Sequence, residues 1–238
     1  DRQLFEKELD VVKQQENVTT DAEVSSEGFK KLIPLYKNII KENAGIEFPQ
    51  DPYSQLQLAI EAVFKSWNIP RAVAYRNHYK IDHRYGTAVN VQTMVFGNMG
   101  DDSATGVSFT RNPSTGENVF YGEYLTNAQG EDVVAGIRTP VPLKKLNKVM
   151  PAAYKKLTGL MTKLEKHYKD MQDMEFTIQE KVLYILQTRT GKRTSEAAVK
   201  IAVDMLKEKL ITAKKAVTRV EPEQIDRLLH PHFDAKAK

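Results

Sequence analysis

The chain has 238 residues, 41% hydrophobic and 28% charged, with a formal net charge of +4. That balance excludes a disordered polymer and leaves room for one large domain or two modest ones. Cysteine is absent, which excludes disulfides, thiol catalysis and cysteine-based zinc sites and suits a reducing compartment.

The start of the chain is helical and charged, unlike a signal peptide, and no apolar run approaches the ~20 residues that cross a bilayer. Asn17-Val18-Thr19 matches a glycosylation sequon, a triplet common by chance, and nothing else points to secretion. A first helix is predicted from about Leu4 to Gln14. A second follows the Thr20-Asp21 cap signal, with Phe29, Leu32, Ile33, Leu35, Tyr36, Ile39 and Ile40 broadly at helical spacing. Pro34 should kink or split it, and Ala44-Gly45 and Pro49 should end it. Asp51-Pro52 then caps a helix whose expected buried stripe is Leu56, Ile60, Val63 and Phe64. Trp67, just beyond, reads as a packing anchor rather than a base-stacking platform.

From Gly86 to Arg138 strands and glycine turns take over. Thr87 to Phe96 alternates with period two. Gly106 to Thr110 and Val119 to Leu125 read as further strands, with turns at 97–102 and 112–117. Long helices return at about Pro142 to Asp170, Ser195 to Lys207, Thr212 to Arg219 and Pro222 to Leu229. Between the first two of these lies a hairpin, Asp173 to Ile178 and Val182 to Arg189, joined by Gln179-Glu180-Lys181. The expected fold is α+β: a mainly antiparallel sheet with flanking helices, a helical subdomain before it and a helical tail after it. The sheet should bury Val89, Val91, Val95, Phe109, Phe176 and Leu186, with the hairpin central.

The hairpin carries the most informative chemistry. Side chains two apart share a face, so Asp173 and Glu175 project together, as do Gln187 and Arg189. If position 175 pairs with 187, opposed Cβ atoms lie ~5 Å apart and all four groups share one face. Two carboxylates, an amide oxygen and a guanidinium suit magnesium and a polyphosphate. A surface hairpin with cross-strand ion pairs is the plainer reading, and spacing alone favours it.

Other constellations say less. His78 and His83 lack a standard zinc spacing, and His230-Pro231-His232 reads at most as an adventitious metal site. Gly191-Lys192-Arg193 opens a helix at Thr194-Ser195, where a phosphate or merely a solvated cap would fit. Glu123, Glu131 and Asp132 follow a strand, near where a ribose or amine could be held. Lysine pairs such as Lys144-Lys145, Lys155-Lys156 and Lys214-Lys215 sit on helices beside acids, with no basic stripe or nucleic-acid module. No nucleic-acid or membrane partner is expected, and an anionic small ligand explains the charge as well as a polymer.

Longer runs carry a resemblance. Thr87-Ala88-Val89-Asn90-Val91-Gln92-Thr93-Met94-Val95-Phe96-Gly97, Phe109-Thr110-Arg111-Asn112-Pro113-Ser114-Thr115-Gly116-Glu117, Gly122-Glu123-Tyr124-Leu125 and Asn127 through Gly136 closely resemble the pyruvate, phosphate dikinase family. So do Arg138-Thr139-Pro140, Leu164 through Thr177, Leu186-Gln187-Thr188-Arg189, Gly191 through Thr194 and Leu228-Leu229-His230-Pro231. The likeness is weak over the first fifty residues and strong from about Asp51. It implies part of an ATP-grasp-type nucleotide region in an enzyme that uses ATP and phosphate. That enzyme phosphorylates a histidine on a separate swivelling domain of the same chain, on the way to phosphoenolpyruvate.

By that resemblance Glu175 and Gln187 hold Mg²⁺ against the triphosphate, Arg189 contacts the transferring phosphoryl groups and Asp173 lies alongside. Glu123, Glu131 and Asp132 match nucleotide-binding positions. The family's phosphate-binding lysine, glycine-rich loop and phosphohistidine surroundings have no match here, so the chain reads as a fragment, inactive alone. The full enzyme is expected to be a cytoplasmic homodimer, or organellar in a eukaryote. The implied divisions are a helical subdomain at 1–49 and a helical segment with a first strand at 50–92. A nucleotide and magnesium subdomain at 93–192 and a helical connection at 193–238 toward the phosphohistidine domain follow. A phosphoenolpyruvate synthase-like phosphotransferase, or a non-catalytic module of the same fold, is the alternative.

Overall fold

The computed structural model describes residues 2–135 and 138–230. They fall into two compact units, Asp1–Gln92 and Thr93–Lys238.

The first unit is helical: α1 (Arg2–Glu16), α2 (Ser26–Ala44), α3 (Pro52–Ser66) and α4 (Pro70–His78). Ser25, not Thr20, caps α2, its hydroxyl accepting the Gly28 N–H at 3.0 Å. Glu16 at the end of α1 accepts both the Ser25 N–H and its hydroxyl. These bonds tie the two helices together around Val12, Val24 and Leu32. Gly45, at φ 66°, ends α2 by donating to the Lys41 carbonyl, the left-handed cap that glycine adopts without steric cost. Pro34 does not split α2, which runs through it. The stripe expected to be buried on α3 is not: no residue of α3 is buried, and Phe64 is 51% exposed. Periodicity creates an apolar stripe, but burial needs a partner surface.

Trp67 is a packing anchor, as expected. The buried Arg76 guanidinium lies 3.9 Å from its ring centroid, and Arg76 Nε donates to His83 Nδ1 at 2.9 Å. His83 Nε2 meets Asn77 Oδ1 at 2.9 Å, so both nitrogens of that imidazole are occupied without a metal.

The second unit is built on a five-stranded antiparallel sheet in the order β3-β2-β1-β4-β5. The strands are β1 (Ala104–Phe109), β2 (Tyr121–Thr126), β3 (Val141–Pro142), β4 (Gln172–Gln179) and β5 (Val182–Thr190). Between β2 and β3 lies a short helix α5 (Gly130–Ala135). The helix expected from Pro142 to Asp170 is broken. Val141–Pro142 pairs with β2, and a short α6 (Leu146–Val149) follows. The main helix α7 starts only at Pro151 and runs to Tyr168. Proline forces the residue before it out of the helical region, and Met150 sits at φ −136°, ψ 70°. The chain then continues through the hairpin into α8 (Ser195–Lys207), α9 (Ala213–Arg219) and α10 (Pro222–Leu229).

One face of the sheet packs on α7, where Met174, Phe176, Ile178 and Tyr124 meet Ala153, Leu157 and Met161. Gly106 makes this fit possible, since a Cβ there would come within 2.8 Å of both Phe176 and Tyr124 side chains. A second cluster, including Met171, Ile201 and Met205, fastens α8 and α9 beside the end of β4.

The strand expected at Thr87 to Phe96 does not form. Those residues have no regular structure, and Val91 is 66% exposed while Val89 and Val95 are only partly buried. Alternation marks a chain that fits a pleated surface, but a strand needs a neighbour for its backbone hydrogen bonds, and this segment joins neither edge of the sheet, β3 or β5. The hairpin is also not wholly central: β4 is inside the sheet, whereas β5 is its edge. Of the other residues expected to be buried by the sheet, Phe176 is fully buried, while Phe109 and Leu186 are half-buried.

Candidate functional site

The hairpin turn is tighter than the sequence suggested. Glu180 and Lys181 both take positive φ, 47° and 68°, the two-residue geometry whose twist matches that of paired strands. From the turn outward Gln179 pairs with Val182, Ile178 with Leu183, Thr177 with Tyr184 and Phe176 with Ile185. The register then slips at Glu175/Phe176, Leu186 is left without a partner, and Glu175 pairs with Gln187 and Asp173 with Arg189.

This bulge reconciles two demands that strict alternation cannot meet together. Leu183 and Ile185 belong to the α7-facing core, and period two would send Gln187 and Arg189 to the same face. One extra residue turns the strand over. Gln187 and Arg189 therefore join Asp173 and Glu175 on the face away from α7.

On that open face the pairings run straight across four strands. Glu123 of β2 lies opposite Val107 of β1, Val107 opposite Glu175 of β4, and Glu175 opposite Gln187 of β5. Tyr121, Phe109, Asp173 and Arg189 form the adjacent row. Gly122 holds φ 153°, and a Cβ there would sit 2.3 Å from the Val107 carbonyl oxygen, so β2 can approach β1 this closely only with glycine.

Arg189 joins the two carboxylates unequally. Its Nε donates to Asp173 Oδ2 at 2.8 Å, and Nη2 stands 3.6 Å from Glu175 Oε1. The Asp173 side chain is 7% exposed and that of Glu175 is 40% exposed. The bond to Asp173, then the negative fields of Asp173 and Glu175, raise the Arg189 pKa above its ordinary value. Asp173 thus anchors the guanidinium, leaving Glu175 the looser carboxylate with an amide oxygen directly across the strand.

Behind these residues runs a buried polar network that the sequence reading missed. The Thr110 hydroxyl donates to Glu165 Oε2 at 2.6 Å and accepts the Gln172 N–H at 3.0 Å. The Gln172 amide oxygen in turn accepts the Thr188 hydroxyl at 3.2 Å. Gln172 and Thr188 are the direct chain neighbours of Asp173, Gln187 and Arg189, so the network pins both strands from the α7 side. Its other end is Arg111, fully buried, which forks onto Glu165 and Glu208. Burial opposes charge there, but bonds to Glu208 and Glu165 outweigh it and hold Arg111 above the usual arginine range. Only the Phe109-Thr110-Arg111 run hinted at it, because these partners lie 54 and 97 residues from Arg111.

The remaining candidates separate from this cluster. Glu131 is exposed on α5, and Asp132 is used as a cap, accepting the Gln129 N–H at 2.7 Å. At the basic helix start, Thr194 accepts the Ala197 N–H at 3.2 Å and Arg193 pairs with Asp170 at 2.8 Å. That terminus is a satisfied cap rather than an open phosphate cradle. His230 stands 3.7 Å from Asp226, while Pro231 and His232 lie outside the described residues. No three acidic or histidine side chains among the described residues are grouped to hold a metal. A cation here would rest on Glu175, Gln187 and ligands from elsewhere. Their hard oxygen donors fit magnesium, which keeps several waters and takes few protein ligands.

Comparison with known proteins decides the family. The model for "Pyruvate phosphate dikinase, AMP/ATP-binding domain" matches residues 5–144 and 140–210. The chain belongs to this family. It is 55% identical to pyruvate, phosphate dikinase of Clostridium symbiosum over 234 residues, which is 98% of this chain and 27% of that protein. Identity to the chloroplastic enzymes is 55% in Mesembryanthemum crystallinum and 56% in Arabidopsis thaliana, covering 24% of each. The chain therefore spans about a quarter of the length of these curated relatives. Among the described residues no helix is long and apolar enough to cross a membrane.

Proposed function

We propose that this chain forms the magnesium-and-nucleotide half of a pyruvate, phosphate dikinase ATP site. In this reading ATP and phosphate are the substrates of the longer protein, and a histidine on a separate domain receives the phosphoryl group. The observation that carries it is the placing of Glu175, Gln187, Asp173 and Arg189 on one open sheet face, in a chain of an AMP/ATP-binding family.

Phosphoryl transfer asks the protein for positioning and charge neutralisation more than for covalent chemistry. Magnesium, when bound, would offset the triphosphate charge and polarise its oxygens. Glu175 and Gln187 supply the oxygen donors for it. Arg189, anchored by Asp173, keeps its remaining N–H donors for phosphate oxygens, a planar match that a lysine lacks. Glu123, in the same cross-strand row, takes the nucleotide on the β2 side, and Glu131 and Asp132 on α5 are further nucleotide contacts. The family's glycine-rich loop and lysine have no counterpart in these residues, so the chain alone should bind weakly and turn nothing over.

An NMR titration of the chain with ATP, with and without magnesium, tests this. Magnesium-dependent shifts should centre on Glu175, Gln187 and Arg189 and disappear in Arg189→Ala. Shifts confined to other elements would overturn the site. Pyruvate-dependent ATP consumption by the chain alone would overturn the partial-site reading.

A further inference from the structure

A cavity of about 570 Å³ opens where the ends of α7 and α8 meet the start of α9, built from residues the hairpin site does not use. Lys169, Lys209, Lys215 and Arg219 line it, with Tyr168 on one wall, and no carboxylate does. The nearest acids in sequence are committed elsewhere. Asp170 serves both Arg193 and Arg219, at 2.8 and 3.4 Å, and Glu208 serves Arg111 and Asn118. Some lysines of the chain are paired within their helices, such as Lys200 with Asp204 and Lys65 with Glu61. Lys169, Lys209 and Lys215 form no such pair among the described residues.

Two of these lysines hold a conformation that disfavours them. Lys169 and Lys209 have φ 53° and 60°, where glycine or asparagine costs less. A cation at a helix C-terminus is partly rewarded by the carbonyl ends, each worth about half a negative charge. Two such ends cancel about one of four positive charges, and Asp170 cancels part of another. The cavity keeps an excess of about two positive charges, contributed by lining residues of three separate elements.

We propose that this cavity binds a small, multiply charged phosphate anion of the pyrophosphate class. Its volume is within the range of small-ligand sites, about 300–1,000 Å³. Cations from three elements lining one cavity match a compact polyanion better than an extended acidic peptide. The site is separate from the sheet face and does not depend on the proposed function.

Calorimetry of the intact chain without magnesium, at low ionic strength, tests it with pyrophosphate, inorganic phosphate and a hexaglutamate peptide. Pyrophosphate should bind, and more tightly than phosphate or the peptide. Lys169→Ala/Lys215→Ala should weaken it roughly tenfold or more, since two charge-assisted contacts are lost. These side chains are exposed, so the variant should fold, and circular dichroism checks that. Lys155→Ala/Lys156→Ala, on α7 and away from the cavity lining, should change affinity less than about twofold. Absence of binding, equal losses in the two lysine pairs, or peptide binding as tight as pyrophosphate would each overturn the proposal.

Discussion

Replacing Glu165 with glutamine should be far more damaging than its distance from the sheet face suggests. Glu165 accepts from the Thr110 hydroxyl at 2.6 Å and from Arg111 Nε and Nη2 at 2.9–3.2 Å. Its side chain is 11% exposed and that of Arg111 is not exposed at all. Breaking a buried pair from one side costs about 3–5 kcal/mol, because the remaining charge stays desolvated. Glu208, 34% exposed, still serves Arg111, which places the expected loss at the lower end, about 3 kcal/mol. For a unit of this size that corresponds to a fall in Tm of roughly 6–12 °C. Glu208→Gln removes the more solvated partner and should cost about 1 kcal/mol. Urea unfolding followed by circular dichroism is the appropriate assay. The single tryptophan, Trp67, belongs to the other unit and would report the wrong transition. A loss below about 1 kcal/mol for Glu165→Gln, or equal losses for the two variants, would refute the view that Arg111 depends chiefly on Glu165.

In the longer protein, Glu175→Ala and Gln187→Ala should each slow histidine phosphorylation in single-turnover assays, with partial recovery as magnesium is raised. Arg189→Ala should slow it without recovery at any magnesium concentration, and Arg189→Lys should recover only part of the rate because a point charge cannot replace the fork. Phe176, fully buried against α7, should cost about 3–5 kcal/mol of unfolding free energy when cut to alanine. Glu16 is held below the usual glutamate range by the Ser25 hydroxyl and then the Ser25 N–H. Its contribution is therefore present above the unfolded pKa and lost as pH falls through the folded one. The extra hydrogen-exchange protection that the α1–α2 pair holds over Glu16→Gln near neutral pH should vanish as pH falls through that window, in which the variant's own stability should not change from this cause.

Local chemistry was legible where its cause is local. Asp51 accepts the Ser54 N–H at 2.7 Å and Gly45 closes α2 because capping depends on a few consecutive residues. The pairing of 175 with 187 was legible because polar groups at that spacing demand one shared face. How the strand reaches it was not. The tight turn at Glu180-Lys181 and the bulge at Leu186 follow from two opposing requirements, Leu183 and Ile185 burying on α7 and Gln187 and Arg189 facing away. Alternation alone offers one parity per strand. The same limit explains Thr87 to Phe96, a strand by pattern that joins no sheet among the described residues, and α3, whose stripe stays exposed. Tertiary structure also decided which charges are structural: Arg111 is buried by acids 54 and 97 residues away, and Arg193 turns from a phosphate candidate into Asp170's partner. Sequence by itself determines what each segment offers, through backbone preference and side-chain chemistry. Only packing determines which offers are taken, because burial and charge pairing are settled between residues far apart along the chain.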